Sequence, residues 1–161
     1  MPRRLLRDNR IVDDEWLYAA EAAGNRAAPV IVGFGDWQVE RAAWIARGGR
    51  LGVVLAPAHK VELLAPDLPH LVLVAAEFPG PADGRGYTQA RLLRERHQFK
   101  GELRAMGFVH HDQVFFLARC GFNSFELPDK DIWNAHSALS AFSAAYQPAN
   151  DAGLPLKLQR H

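Results

Sequence analysis

The sequence predicts a single α/β domain: a mostly parallel sheet of about five strands with flanking helices, either open or curled into a half-barrel or TIM-barrel-like form. Three observations lead there. Short apolar runs alternate with amphipathic segments, the rhythm of strands joined by helical crossovers. The chain has 161 residues, 48% of them hydrophobic, enough to bury one core without a disulfide or structural metal. Its one cysteine, Cys120, excludes an intrachain disulfide and a CxxC dithiol centre.

The elements follow in order. Residues 1–28 read as an N-terminal arm and linker, 29–147 as the α/β domain, and 148–161 as a C-terminal tail without clear periodicity. Strands are expected at "VIVGF" (30–34), "LGVVLA" (51–56), "LVLVAAE" (71–77), "ELRAM" (102–106) and "SFEL" (124–127). The first three carry the branched residues that fill buried parallel strands. Between them "DWQVERAAWIAR", "KVELLAPDL", "TQARLLRERHQF" and "DQVFFLARCG" read as helices, and "DIWNAHSALSAFSAAY" as a final one. Asp36 and Asp112 stand where a side chain caps a first helical turn, and Gly121 stands where a helix stops in the left-handed conformation. Five strands are too few to close a barrel, which leaves room for a homodimer that completes one.

Charge and hydropathy narrow the function classes. The formal net charge is +1, so no global field draws the chain to nucleic acid or to an anionic membrane. No run approaches 18 apolar residues, and the basic start "MPRRLLRDNR" is followed by the acids of "IVDDEWLY" instead of an apolar export signal. A reduced, cytoplasmic setting is the expectation.

Chemistry concentrates between residues 82 and 113. From Arg85 to Arg104 the chain holds Arg85, Arg91, Arg94, Arg96, Lys100 and Arg104 against Glu95 and Glu102, a local balance of 6 − 2 = +4 that leaves 1 − 4 = −3 for the remainder. Arginine outnumbers lysine there, and its planar fork suits bidentate capture of carboxylate, phosphate or an oxyanion of sulfur. "DGRGY" (83–87) places an arginine between two glycines, where the backbone can approach a ligand closely. Arg91 and Arg94 share one face of an ideal helix, and Arg91 can pair with Glu95. Arg104 lies inside an apolar strand and must find a partner. Asp83 or Asp112 can move protons, and Tyr87 or Gln113 can orient a substrate.

Other chemistries lack their signatures. The adjacent His110 and His111 point apart, unlike the i, i+4 pair of a zinc helix. Glu77, Asp83 and Asp112 are the remaining oxygen donors, and no metal site is assigned. "GFGDWQ" carries Gln38 at the third position of a dinucleotide fingerprint, and no P-loop, nucleophile elbow or HExxH is present. The cofactor is left open. Cys120 reads as core beside Phe115, Phe116 and Phe122.

The stretches "EFPGPADGRGYTQARLLRER", "KGELRAMG" and "DQVFFLARCGFNSFEL" resemble a bacterial family known as domain of unknown function 934. The matching positions are Asp83 to Tyr87, Gln89 to Arg94, Gly101 to Ala105, Gly107, Asp112 and Gln113. Phe108, His110 and His111 depart from the pattern. The resemblance implies a link to sulfite reduction, since members are described as oxidoreductases of that process and associated with sulfite or nitrite reductase. Together the residues and the resemblance give Asp83, Arg85 and Asp112 as catalytic candidates, and Tyr87, Gln89, Arg91, Arg94, Glu102, Arg104 and Gln113 as substrate-binding ones.

Two functions follow. The leading expectation is an accessory protein of assimilatory sulfite reduction, whose arginines recognise an oxyanion or an acidic surface of a reductase or its electron donor. The alternative is an α/β enzyme, an oxidoreductase among the options, acting on a small anion or phosphate substrate. Arginines converging in a concave pocket favour the second, and arginines spread over a convex face favour the first.

Overall fold

A computed structural model describes residues 3–143 of the chain. The α/β expectation holds: strands β4 (Val30–Gly33), β5 (Leu51–Leu55), β6 (Leu73–Phe78), β7 (Glu102–Gly107) and β8 (Ser124–Phe125) run parallel in sequential order. Helices α1 (Phe34–Arg47), α2 (Val61–Leu64), α3 (Arg85–Arg91), α4 (Val114–Cys120) and α5 (Asp129–Ser143) follow them in turn. The expected tail at 148–161 lies outside the described residues.

The strand count is corrected from about five to eight. The N-terminal segment, expected as an arm and linker, supplies β1 (Arg4–Arg7), β2 (Arg10–Asp13) and β3 (Leu17–Tyr18). Asp8 and Asn9 both adopt positive φ, 50° and 61°, the geometry of a two-residue turn joining antiparallel strands. The resulting hairpin pairs through β1 with β8, while β3 pairs with β4 at the other end, giving the order β2-β1-β8-β7-β6-β5-β4-β3.

That order dictates the curvature. Strands spaced ~4.8 Å apart would put β2 and β3 about 34 Å from each other in a flat sheet. Yet residues 14–16 alone join them, and the link from Asp13 to Leu17 reaches at most ~14 Å. The sheet is therefore a strongly curled half-barrel. Its outer face carries the helices and the main core, with Val32, Val53, Leu55, Val74, Ala76, Leu103 and Ala105 packed against helix residues such as Trp37, Leu64, Leu93 and Leu117. Alternation sends Ile31, Leu73 and Ala75 to the concave face, where Trp16 from the 14–16 connection covers them.

Several helix ends differ from expectation, each for a local reason. Helix α1 starts at Phe34 with Gly33 at its N-cap, so Asp36 lies inside the first turn and caps nothing. Pro66 and Pro69 tighten the segment after α2 into a 3-10 helix, Ala65–His70. Before α4, His110 and Gln113 form a reciprocal capping box around a 3-10 turn, and Asp112 is left exposed. Gly121 does end α4 in the left-handed region, at φ 118°.

Candidate functional site

The two glycines of "DGRGY" have unequal jobs. A Cβ on Gly86 would come within 2.5 Å of the Phe78 ring, so this glycine lets α3 settle on β6. Gly84 is the N-cap. Arg85 donates to both oxygens of Asp83, from Nε at 3.1 Å and Nη2 at 2.7 Å, and its backbone amide donates to Oδ1 at 3.1 Å. The Arg85 bonds hold the Asp83 carboxyl below its usual range. The guanidinium stands in solvent, with 61% of the Arg85 side chain exposed, and the Asp83 carboxylate is partly covered.

Helix α3 then widens. Residues Leu92–Arg96 form a π-helical turn, closed by a bond from the His97 amide to the Leu92 carbonyl, a geometry that is rare and frequently found at functional sites. It separates the two arginines expected to share a face. Arg91 stays outside, 3.7 Å from Glu95. Arg94 turns inward and donates to the carbonyls of Gly121 (2.9 Å), Phe99 (2.8 Å) and Gly101 (2.8 Å). Arg94 thus joins α3, β7 and the end of α4, and burial lowers the pKa of its guanidinium.

An open groove of about 420 Å³ runs along this α-to-π junction, lined by Thr88, Arg91, Leu92, Glu95 and Arg96. Arg96 lines this groove and is exposed. Cys120 lies next to Arg91 but is buried, and burial pushes its thiol above the ordinary range against the pull of Arg91 and Arg119. The remaining candidates make contacts within the fold. Gln89 is 4% exposed and donates to the carbonyls of Ala56 and His59 at 2.9 and 3.0 Å. Tyr87 packs edge-on against Phe78. Gln113 accepts from the His110 amide at 3.0 Å.

Arg104 lies on the other face of the sheet. Its side chain is fully buried, as an arginine in this strand position must be to face the concave side, and three carboxylates meet it. Nη1 donates to Asp14 Oδ2 at 3.0 Å and Glu126 Oε2 at 3.2 Å, Nη2 to Asp14 Oδ1 at 3.2 Å and Glu102 Oε2 at 2.9 Å, and Nε to Glu102 Oε2 at 3.2 Å. Burial opposes the charge, but Glu102, Asp14 and Glu126 outweigh it and raise the pKa above its ordinary range. Tyr18 donates to Glu126 at 2.5 Å, and burial together with that carboxylate raises the pKa of its hydroxyl. Arg3 reaches Asp14 at 3.3 Å and Arg7 reaches Glu102 at 3.7 Å.

The expected arginines therefore do not converge. Arg85 and Arg91 look outward, Arg94 is enclosed by carbonyls, and Arg104 is compensated inside the half-barrel. Sequence reasoning missed Asp14, Tyr18 and Glu126, although an arginine in an apolar strand signals that acids must arrive from elsewhere. Among the described residues no three His, Cys, Asp or Glu side chains are grouped so as to hold a metal ion, and no helix is long and apolar enough to cross a membrane.

Fold and surface together define an α/β protein with a curled, mostly parallel sheet, an arginine-bearing outer helix face and an internally compensated arginine on the concave side. Residues 52–157 match the family model described as "Bacterial protein of unknown function (DUF934)". The chain belongs to that family. No curated protein matches it.

Proposed function

We propose that the chain is an accessory protein of assimilatory sulfite reduction, one that presents the α3 face to an acidic surface of sulfite or nitrite reductase or of its electron donor. The observation that carries this reading is the divergence of the arginines. Arg85, Arg91 and Arg96 are exposed along α3 and its π turn, beside an open groove instead of a closed pocket, whereas small-molecule sites are concave and enclose most of their ligand. A local excess of positive charge steers encounter with an acidic partner. The class of partner is the one that the resemblance described above implies, a reductase of sulfite or nitrite.

A deletion strain tests it, grown on sulfate, sulfite or sulfide and complemented with wild type or with the Arg91→Glu, Arg96→Glu double variant. The expected result is growth on sulfide alone for the deletion, rescue by wild type, and no rescue by the double variant despite equal folded abundance. Normal growth of the deletion strain on all three sources would refute the sulfur assignment. Full rescue by the double variant would refute the α3 surface.

A further inference from the structure

We propose that Asp14 occupies, from within the chain, a site for a small oxyanion: Arg104 is the receptor, and residues 14–16 are a strap that fills the site. This concerns the opposite face of the sheet from α3 and does not rest on the partner surface proposed there.

The geometry of the Asp14 contact carries the inference. Its two oxygens meet the two terminal nitrogens of Arg104 in parallel, at 3.0 and 3.2 Å, the fork-to-fork arrangement by which arginine captures carboxylates and phosphates. The other two carboxylates contact the guanidinium differently and come from the sheet: Glu102 lies on the arginine's own strand and Glu126 directly follows β8. They keep the fork aimed whether or not Asp14 is present. Asp14 directly follows β2, the edge strand of the sheet, and is the one acceptor of the three that the 14–16 connection carries.

Residues 14–16 belong to neither β2 nor β3. They are held by the Asp14 amide on the Arg3 carbonyl (2.6 Å), by Arg3 Nη2 on the Trp16 carbonyl (2.9 Å), by the Trp16 amide on Asp14 Oδ1 (3.1 Å), and by Arg50, which pairs with Glu15 at 2.7 Å and lies over the Trp16 ring. Arg3, the second cation on Asp14, has a side chain 40% exposed and marks the approach from solvent. Withdrawal of Asp14 raises the local charge around Arg104 by one positive unit, which an anion of similar size restores. The ligand must offer two oxygens to one fork within the space of a carboxylate, as sulfite and inorganic phosphate do.

Trp16 is 2% exposed on the bed of Ile31, Leu73 and Ala75, so lifting the strap changes its emission. The experiment titrates the full chain with sodium sulfite, with sodium phosphate, and with sodium chloride at matched ionic strength. Hydrogen exchange of the Asp14 and Leu17 amides and tryptophan emission are followed together. The expected result is a saturable rise in exchange with a red shift in either oxyanion and neither change in chloride. Asp14→Asn, which keeps an oxygen for the Trp16 amide, is expected to bind the responding oxyanion roughly tenfold more tightly, and Arg104→Lys in that background to lose the gain, since lysine has no fork. Strap amides and emission that ignore both oxyanions, or respond equally to chloride, overturn the proposal. So does a folded Asp14→Asn chain that binds no more tightly than wild type. If Asp14→Asn does not fold, the wild-type titration alone decides.

Discussion

Arg85, Arg91, Arg94 and Arg104 belong to one ordered motif, yet their surroundings assign them opposite kinds of work. Arg94 satisfies three backbone carbonyls, and Arg104 satisfies three carboxylates. Replacing Arg94 with Met strands buried acceptors and is expected to cost about 3 kcal/mol. Arg104→Met leaves buried acids uncompensated, with about 3–5 kcal/mol expected. Gly121→Ala combines a positive φ with a Cβ only 2.5 Å from Arg94 Cγ, for about 2–3 kcal/mol. Arg85→Ala and Arg91→Ala should stay within about 0.5 kcal/mol, because both groups are solvated. Urea denaturation of the five variants separates the two groups. The local charge excess was legible from residue types alone. So was the need of Arg104 for partners, from its place in an apolar strand; that Arg94 turns inward and which acids meet Arg104 were not, because they depend on the π turn at Leu92 and on carboxylates brought from residues 14 and 126.

At the level of elements, β4, β5 and β6 were readable as short, branched, buried runs, β7 and β8 as weaker apolar stretches between helical segments, and all five lie within a few residues of the expected bounds. The three N-terminal strands were not read, since "RLLR" and "RIVD" are four-residue runs bounded by charges. The signal that would have revealed them was the Asp8-Asn9 pair, whose residues tolerate the positive φ of a hairpin turn. These strands are part of the core: Leu5, Leu6 and Trp16 are buried to within 2%. A chain lacking residues 1–18 exposes Phe125, removes Asp14 and Tyr18 from the Arg104 network, and opens the concave face. It is expected to show no cooperative thermal transition by circular dichroism, whereas an unessential arm would leave the melt unchanged.

For the molecule as a whole, Tyr18, Tyr87 and Cys120 are expected to lower stability at alkaline pH. Burial favours the neutral form of each in the folded state. In the unfolded chain they lose protons near their ordinary values of 10.0 for the tyrosines and 9.0 for the cysteine. Their contribution is therefore complete below those values and is lost as pH rises through them toward the raised folded ones. Unfolding free energy from urea titrations should be level up to about pH 8.5 and fall above about 9, with Cys120→Ala delaying the fall toward about 10. The edge-to-edge course of the N-terminal segment has a further consequence, for synthesis. Its hairpin emerges from the ribosome long before β8, with which it pairs, Leu6 against Phe125, a separation of 125 − 6 = 119 residues. Such distant pairing is slow to form, so β1 waits as an unpaired edge until nearly all the domain has been made. The half-barrel's last closure thus waits on the synthesis of β8, which makes the nascent hairpin a natural substrate for chaperones.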